Sequence, residues 1–264
     1  MFRKNILVLL CFVILVSLST RTHAEETMSK EALRAFILET IRKNPQVLLD
    51  VLRNNSIALL DIAQEGSNLR KINALKAQWK KDLGEKKIMH CEDRPVYGNK
   101  NAKVRIVAFS DFTCHYCYNS KSVIDKILKE YKGKVAFIYK SCPMIEDGPA
   151  AIAAAWFLAI AKQDEAKAWK FYDNMFENRN TLQSDGEDFI RNTAQSLNLD
   201  LIQLEKDVKS DKKIMTLLRE DRDDADKLNV EGTPCFYVNN LVVRGAIPLE
   251  FFRVAVNMAL KDAE

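Results

Sequence analysis

Between residues 29 and 85 the apolar positions recur every three or four residues. Leu33, Phe36, Ile37 and Ile41 are followed by Leu48, Leu49, Leu52, Leu59, Leu60, Ile62 and Ala63, and then by Leu69, Ile72, Leu75 and Trp79. That spacing places them on one face of a helix. Ser29 is expected as the first N-cap, and Asn44-Pro45 restarts the chain with Asn44 as cap and Pro45 at the first helical position. Gly66 and Gly84 are expected to end the later pieces. Residues 25–86 are thus predicted to be all-helical, with more apolar surface than one or two helices can bury alone. The stripe packs either on the rest of the chain or on copies of itself. A strict coiled coil is disfavoured, because Asn55, Gly66 and Asn73 interrupt the heptads.

From Cys91 onward the period changes. Val96-Tyr97 and Gly98 suggest a short strand and turn, and Val104–Phe109 a core strand. Cys117–Tyr131 reads as a helix ending near Gly133, and Val135–Tyr139 as the next strand. Residues 149–229 read as consecutive helices: Pro149–Lys162, Glu165–Glu177, Glu187–Leu197, Leu201–Val208 and Lys212–Leu228. Asp185, Asp200 and Asp211 are placed as caps. The chain closes with strands at Phe236–Val238 and Leu241–Val243, joined by a turn at Asn239-Asn240, and a helix over Leu249–Ala263.

The first 24 residues change how the composition is read. Met1-Phe2-Arg3-Lys4 precedes an apolar run from Ile6 to Val16, and cleavage is expected after Ala24, with Thr22 at the −3 position. A basic start, a short apolar core and a small residue at the cut describe a secretory signal. Removing residues 1–24 takes Arg3, Lys4 and Arg21 from the 40 basic residues and none of the 36 acidic ones, which leaves a balance of +1. That gives no electrostatic footprint for nucleic acid or an anionic membrane. Of the six cysteines, Cys91, Cys114, Cys117, Cys142 and Cys235 remain. Export makes disulfides possible, and the odd count leaves a thiol over.

The candidate chemistry is Cys114-His115-Tyr116-Cys117, placed after an apolar strand and at the start of a helix. Free N–H groups and the positive end of the helix dipole favour thiolate there, and thiolate is the attacking species in disulfide exchange. His115 is a second candidate for tuning the sulfurs. A structural disulfide and a zinc half-site are the alternatives. Zinc needs four ligands, and His90 and His115 are the only histidines left after residue 24, with no second CxxC. The same scarcity argues against a Ser-His-Asp hydrolase. No metal or cofactor is implied.

Together with Gly232-Thr233-Pro234-Cys235 downstream, the CxxC resembles the thioredoxin superfamily, in which a cis-proline loop faces the CxxC. Strands flanking a helical insertion resemble its DsbA-like branch. The implied fold is α/β: a thioredoxin fold over residues 87–264 with a helical insertion at 149–229, preceded by a helical oligomerisation stalk at 25–86. By this resemblance Cys114 is the attacking thiol and Cys117 the resolving thiol. Tyr116 and His115 tune the site, and Thr233-Pro234 is the cis pair that meets a substrate strand. Cys91 and Cys142 form a possible second disulfide, and Cys235 is either a small core residue or a redox group. The family's acidic residue, six positions before the first cysteine, is Ala108 here, with Asp111 on a different face.

Threonine before the proline and tyrosine before the second cysteine look like the isomerases of the family. The helical region is similar to that of ScsC-like proteins and of homotrimeric alpha-proteobacterial DsbA paralogues. The resemblance implies a periplasmic disulfide isomerase or reductase, trimeric, acting on misfolded or reduced exported proteins. It would be recharged by a membrane partner, a DsbD-like reductase or a DsbB-like oxidase. A dithiol oxidase is the near alternative, and a Cu(I)-binding protein using Cys114, His115 and Cys117 is the alternative of another class.

Overall fold

A computed structural model describes residues 29–264, so the expected signal at 1–24 lies outside the described residues. The chain divides into two units, one ending at Ser67 and one running from Asn68 to Glu264.

The first unit is helical. Ser29 caps α1 (Lys30–Lys43), its hydroxyl accepting from Ala32 N–H at 3.1 Å. Pro45 opens α2 (Pro45–Asn54) at a position that needs no N–H donor. The break before α3 (Ser56–Leu83) falls at Asn55, whose side-chain amide donates to the Val51 carbonyl at 2.8 Å. Gly66, expected as a stop, lies inside a continuous helix: a lone glycine costs about 1 kcal/mol relative to alanine, too little to end one. Neither α1 nor α2 contains a buried residue, and Leu33, Phe36, Ile37, Leu38 and Val47 are all exposed.

The second unit begins ahead of the boundary expected at residue 87, because the C-terminal part of α3 is built into it. Trp79 is fully buried and donates through Nε1 to the Val242 carbonyl at 2.8 Å, while the Asp82 carboxylate accepts from Val242 N–H at 3.1 Å. The sheet of this unit contains β1 (Tyr97–Gly98), β2 (Val104–Ser110), β3 (Val135–Ser141), β4 (Cys235–Val238) and β5 (Leu241–Arg244), in the order β1-β3-β2-β4-β5. β2 and β3 are parallel, joined by the crossover helix α4 (His115–Glu130), and the other pairs are antiparallel. One face of β2, carrying Val104, Ile106 and Ala108, packs in the layer of α4 and α10 (Leu249–Asp262). Val107 and Phe109 pack on the opposite face.

Between β3 and β4 lies the helical insertion: α5 (Pro149–Gln163), α6 (Glu165–Glu177), α7 (Arg179–Ser196), α8 (Leu201–Ser210) and α9 (Lys212–Lys227). Asp164, Asp200 and Asp211 cap α6, α8 and α9 through their side chains. The helix expected from Glu187 starts eight residues earlier, with a kink at Gly186, whose φ of 55° suits glycine. The insertion is pinned to the sheet by a buried charge network. Lys140 is fully buried on β3 and contacts Asp224, with Asp221 at 3.4 Å and the His90 carbonyl at 2.9 Å. Arg94, also buried, reaches Asp221 at 2.9 Å. The charges are matched on both sides, as burial in a low-dielectric interior requires.

Candidate active site

β2 ends at Ser110, and four residues later the chain reaches Cys114, the N-cap of α4. The intervening loop is fixed at two points. The Asp111 carboxylate accepts from the N–H and hydroxyl of Thr113, both at 2.6 Å, and from Met144 N–H at 2.8 Å. Phe112 is fully buried among Tyr139, Tyr172 and Phe176, with ring centroids 4.8, 5.6 and 5.0 Å away. The loop is therefore clamped between the sheet and the insertion. Asp111 commits its carboxylate to this turn and to Met144, so it does not stand in for the family's acidic residue.

The two sulfurs differ in surroundings. Cys114 is half-buried and Cys117 is 3% exposed. Cys114 Sγ lies 3.6 Å from the Thr233 carbonyl oxygen, and the Thr233-Pro234 bond is cis, so residues separated by 119 positions meet at the reactive atom. The thiol of Cys114 is brought down to about 5, chiefly by its hydrogen bond with Cys117. Partial burial opposes this, while the Thr233 hydroxyl and the N–H groups of Cys117 and Tyr116 reinforce it. Cys117 moves the other way: burial raises it first, and the neighbouring Cys114 second. One thiol is held ready as thiolate and the other is kept protonated, the division of labour that two-step exchange needs.

The exposed ring of His115 turns along the helix, with Nε2 3.1 Å from Asn119 Nδ2 and an edge contact to Tyr116 at 5.9 Å. The groups acting on Cys114 are thus the partner thiol, Thr233 and the helix-start N–H groups. Tyr116 is 62% exposed and stands beside the reactive cysteine, open to a client. Ala108 leaves the strand beneath the CxxC without a carboxylate. Ser110, which sequence reasoning passed over, is buried at the end of β2, and its hydroxyl acts to lower the Cys117 thiol. The period-two alternation from Ala108 was the signal that could have found it.

The remaining thiols are separate from this pair. Cys91, Cys142 and Cys235 all pack around Val107, Phe109, Ile138 and Tyr237, on the face opposite α4. β1 runs antiparallel to β3, and Cys91 and Cys142 reach the same small cluster, but both are free thiols in this structure, as are the other three. Burial pushes Cys91 and Cys142 up and Cys235 up to about 11, so these sulfurs are poor nucleophiles beside Cys114. Cys235 sits in β4 as a core residue.

The comparisons agree with this geometry. The thioredoxin family model matches residues 90–258. A protein of Bacillus anthracis named probable disulfide bond formation protein D is 33% identical over 168 residues, 61% of this chain and 76% of that protein. Among solved structures, the thiol-disulfide exchange protein alpha-DsbA2 of Wolbachia pipientis superimposes with a TM-score of 0.57 at 23% identity, over 72% of this chain and 97% of its own. ScsC of Proteus mirabilis, in a transitional conformation, superimposes with a TM-score of 0.56 at 20% identity over 90% of this chain and 98% of its own. With a thiolate-forming CxxC at a helix start, a facing Thr-Pro and a helical insertion in the sheet crossover, the chain belongs to the thioredoxin family as a DsbA-like thiol–disulfide oxidoreductase.

Proposed function

We propose that the protein is an exported, periplasmic disulfide isomerase or reductase, assembled as a homotrimer through its N-terminal helices. One observation carries the reading: α1 and α2 bury none of their residues while exposing Leu33, Phe36, Ile37, Leu38, Val47 and Val51. A continuous apolar stripe of this kind marks an association surface, and a second and third copy of the same stripe match it. The structural similarity to ScsC extends over 90% of this chain, so the helical region belongs to the shared architecture. Several Cys114 thiolates on one particle then engage one misoxidised client repeatedly, an effective-concentration advantage that a lone site lacks. Recharging falls to a membrane-bound thiol–disulfide partner. Among the described residues no helix is long and apolar enough to cross a membrane.

Dithiol oxidation is the second reading, favoured by the name of the Bacillus relative, a disulfide bond formation protein. Cu(I) binding would rest on two sulfurs, since His115 is engaged with Asn119. The deciding experiment compares the chain without its signal with a version beginning at Asn68, by light scattering and by reactivation of a substrate with scrambled disulfides. The long form should be trimeric and should isomerise. The short form should be monomeric, keep dithiol exchange and lose most isomerase activity. A monomeric long form, or a short form that isomerises equally well, gives the oxidase reading precedence.

A further inference from the structure

Release of a client requires Cys117 to lose its proton as it attacks the Cys114–client disulfide. Its sulfur is buried, and Ala108 offers no carboxylate beneath it. Strand geometry decides what does face it. On β2, Val104, Ile106 and Ala108 share the core layer of Cys117, whereas Val107 and Phe109 lie on the other side. The period of two puts Ser110 on the Cys117 side, at the strand end from which the chain turns into the CxxC. Ser110 is 4% exposed, and its hydroxyl and the Asp111 N–H both favour the thiolate form of Cys117 against the burial that opposes it. In the parallel register Ser141 stands opposite Ser110, and by the alternation of Phe137 and Tyr139 it faces the same layer. Tyr139, two pairs down the register beside Ala108, is buried in the same layer.

We propose that Ser110 is a catalytic residue of the resolving step, its hydroxyl donating to the Cys117 sulfur as thiolate develops there. The inference rests on the thiol–disulfide exchange reading. In that step Cys117 gives up its proton to solvent and its electron pair forms the Cys114–Cys117 bond. The Cys114–client bond breaks, its electrons leave on the client sulfur, and that sulfur takes up a proton from solvent. Ser110 ends unchanged. A neutral hydroxyl in a dry site stabilises the developing charge without carrying a charge of its own, so it adds no titration near neutral pH.

The test follows a mixed disulfide between the full chain and a single-disulfide peptide, timing its formation and its collapse separately across pH. Ser110→Ala should leave formation, which depends on Cys114, unchanged. Collapse should slow by roughly tenfold or more, the scale of a lost hydrogen bond to a charged group, and its pH profile should move to higher pH. Ser110→Thr and Ser110→Val form a second pair, matched in volume and differing in the hydroxyl, which keeps the test valid if the alanine variant folds poorly. Fast collapse in Thr and slow collapse in Val supports the assignment. Equal collapse in that pair, or an alanine variant with the parent's rate and profile, overturns it while exchange itself stands. A parent protein that forms no mixed disulfide overturns the exchange reading and this assignment with it.

Discussion

Trp79→Ala probes where the catalytic unit begins. The side chain is completely buried, and its indole N–H is committed to the Val242 carbonyl of β5. A buried tryptophan removes about 200–250 Å² from water. At about 25 cal/mol per Å² that burial contributes roughly 5–6 kcal/mol, an upper figure because unfolded chains already bury part of their surface. Large-to-small substitutions of this kind cost about 3–5 kcal/mol. For a unit of this size each 1 kcal/mol moves Tm by about 2–4 °C, so the variant should melt roughly 6–20 °C lower. A chain starting at residue 87 loses Trp79, Ile72 and the Asp82 carboxylate on Val242 together, and should be destabilised at least as much relative to a chain starting at Asn68. Urea unfolding of the three proteins under reducing conditions measures this. If the residue-87 chain or Trp79→Ala unfolds within about 1 kcal/mol of the Asn68 chain, the end of α3 contributes no structural wall and the packing argument fails.

Other expectations follow from the active site. Cys114→Ser should abolish exchange, whereas Cys117→Ser should accumulate mixed disulfides visible on non-reducing gels; turnover by Cys114→Ser would remove the assignment of nucleophile. Alkylation of Cys114 should reach half its maximal rate near pH 5, since thiolate is the reacting form. Because this thiol is lowered on folding, its contribution to the reduced protein is fully present above the ordinary thiol value near 9 and is lost as pH falls through about 5. The urea midpoint of the reduced protein, relative to Cys114→Ser, should therefore decline over that window. Thr233→Val removes a hydroxyl that supports the Cys114 thiolate, and should move the alkylation midpoint to higher pH; an unmoved midpoint would leave the carbonyl contact as the only role for Thr233.

Much of this protein is written in local pattern. Ser29 as a cap, Pro45 as a helix start, the strands at 104 and 135, and the CxxC at the head of α4 were all legible, because capping, proline geometry and the periods of helix and strand depend on residues a few positions apart. Where local signals were weak, tertiary structure decided. Gly66 is a poor stop, and α3 runs through it to bury Trp79 against β5, so residues that look like stalk become part of the catalytic unit. Lys140 ends an apolar run and would be read as a strand boundary, yet β3 continues through it because Asp221 and Asp224, 81 and 84 positions away, neutralise it. The position of Thr233 at the Cys114 sulfur likewise follows from the strand order β3-β2-β4. The sequence by itself pointed to the candidate groups for the chemistry and to the elements that hold them. Only the folded chain decided which of those groups meet, because burial and pairing between distant residues leave no periodic trace.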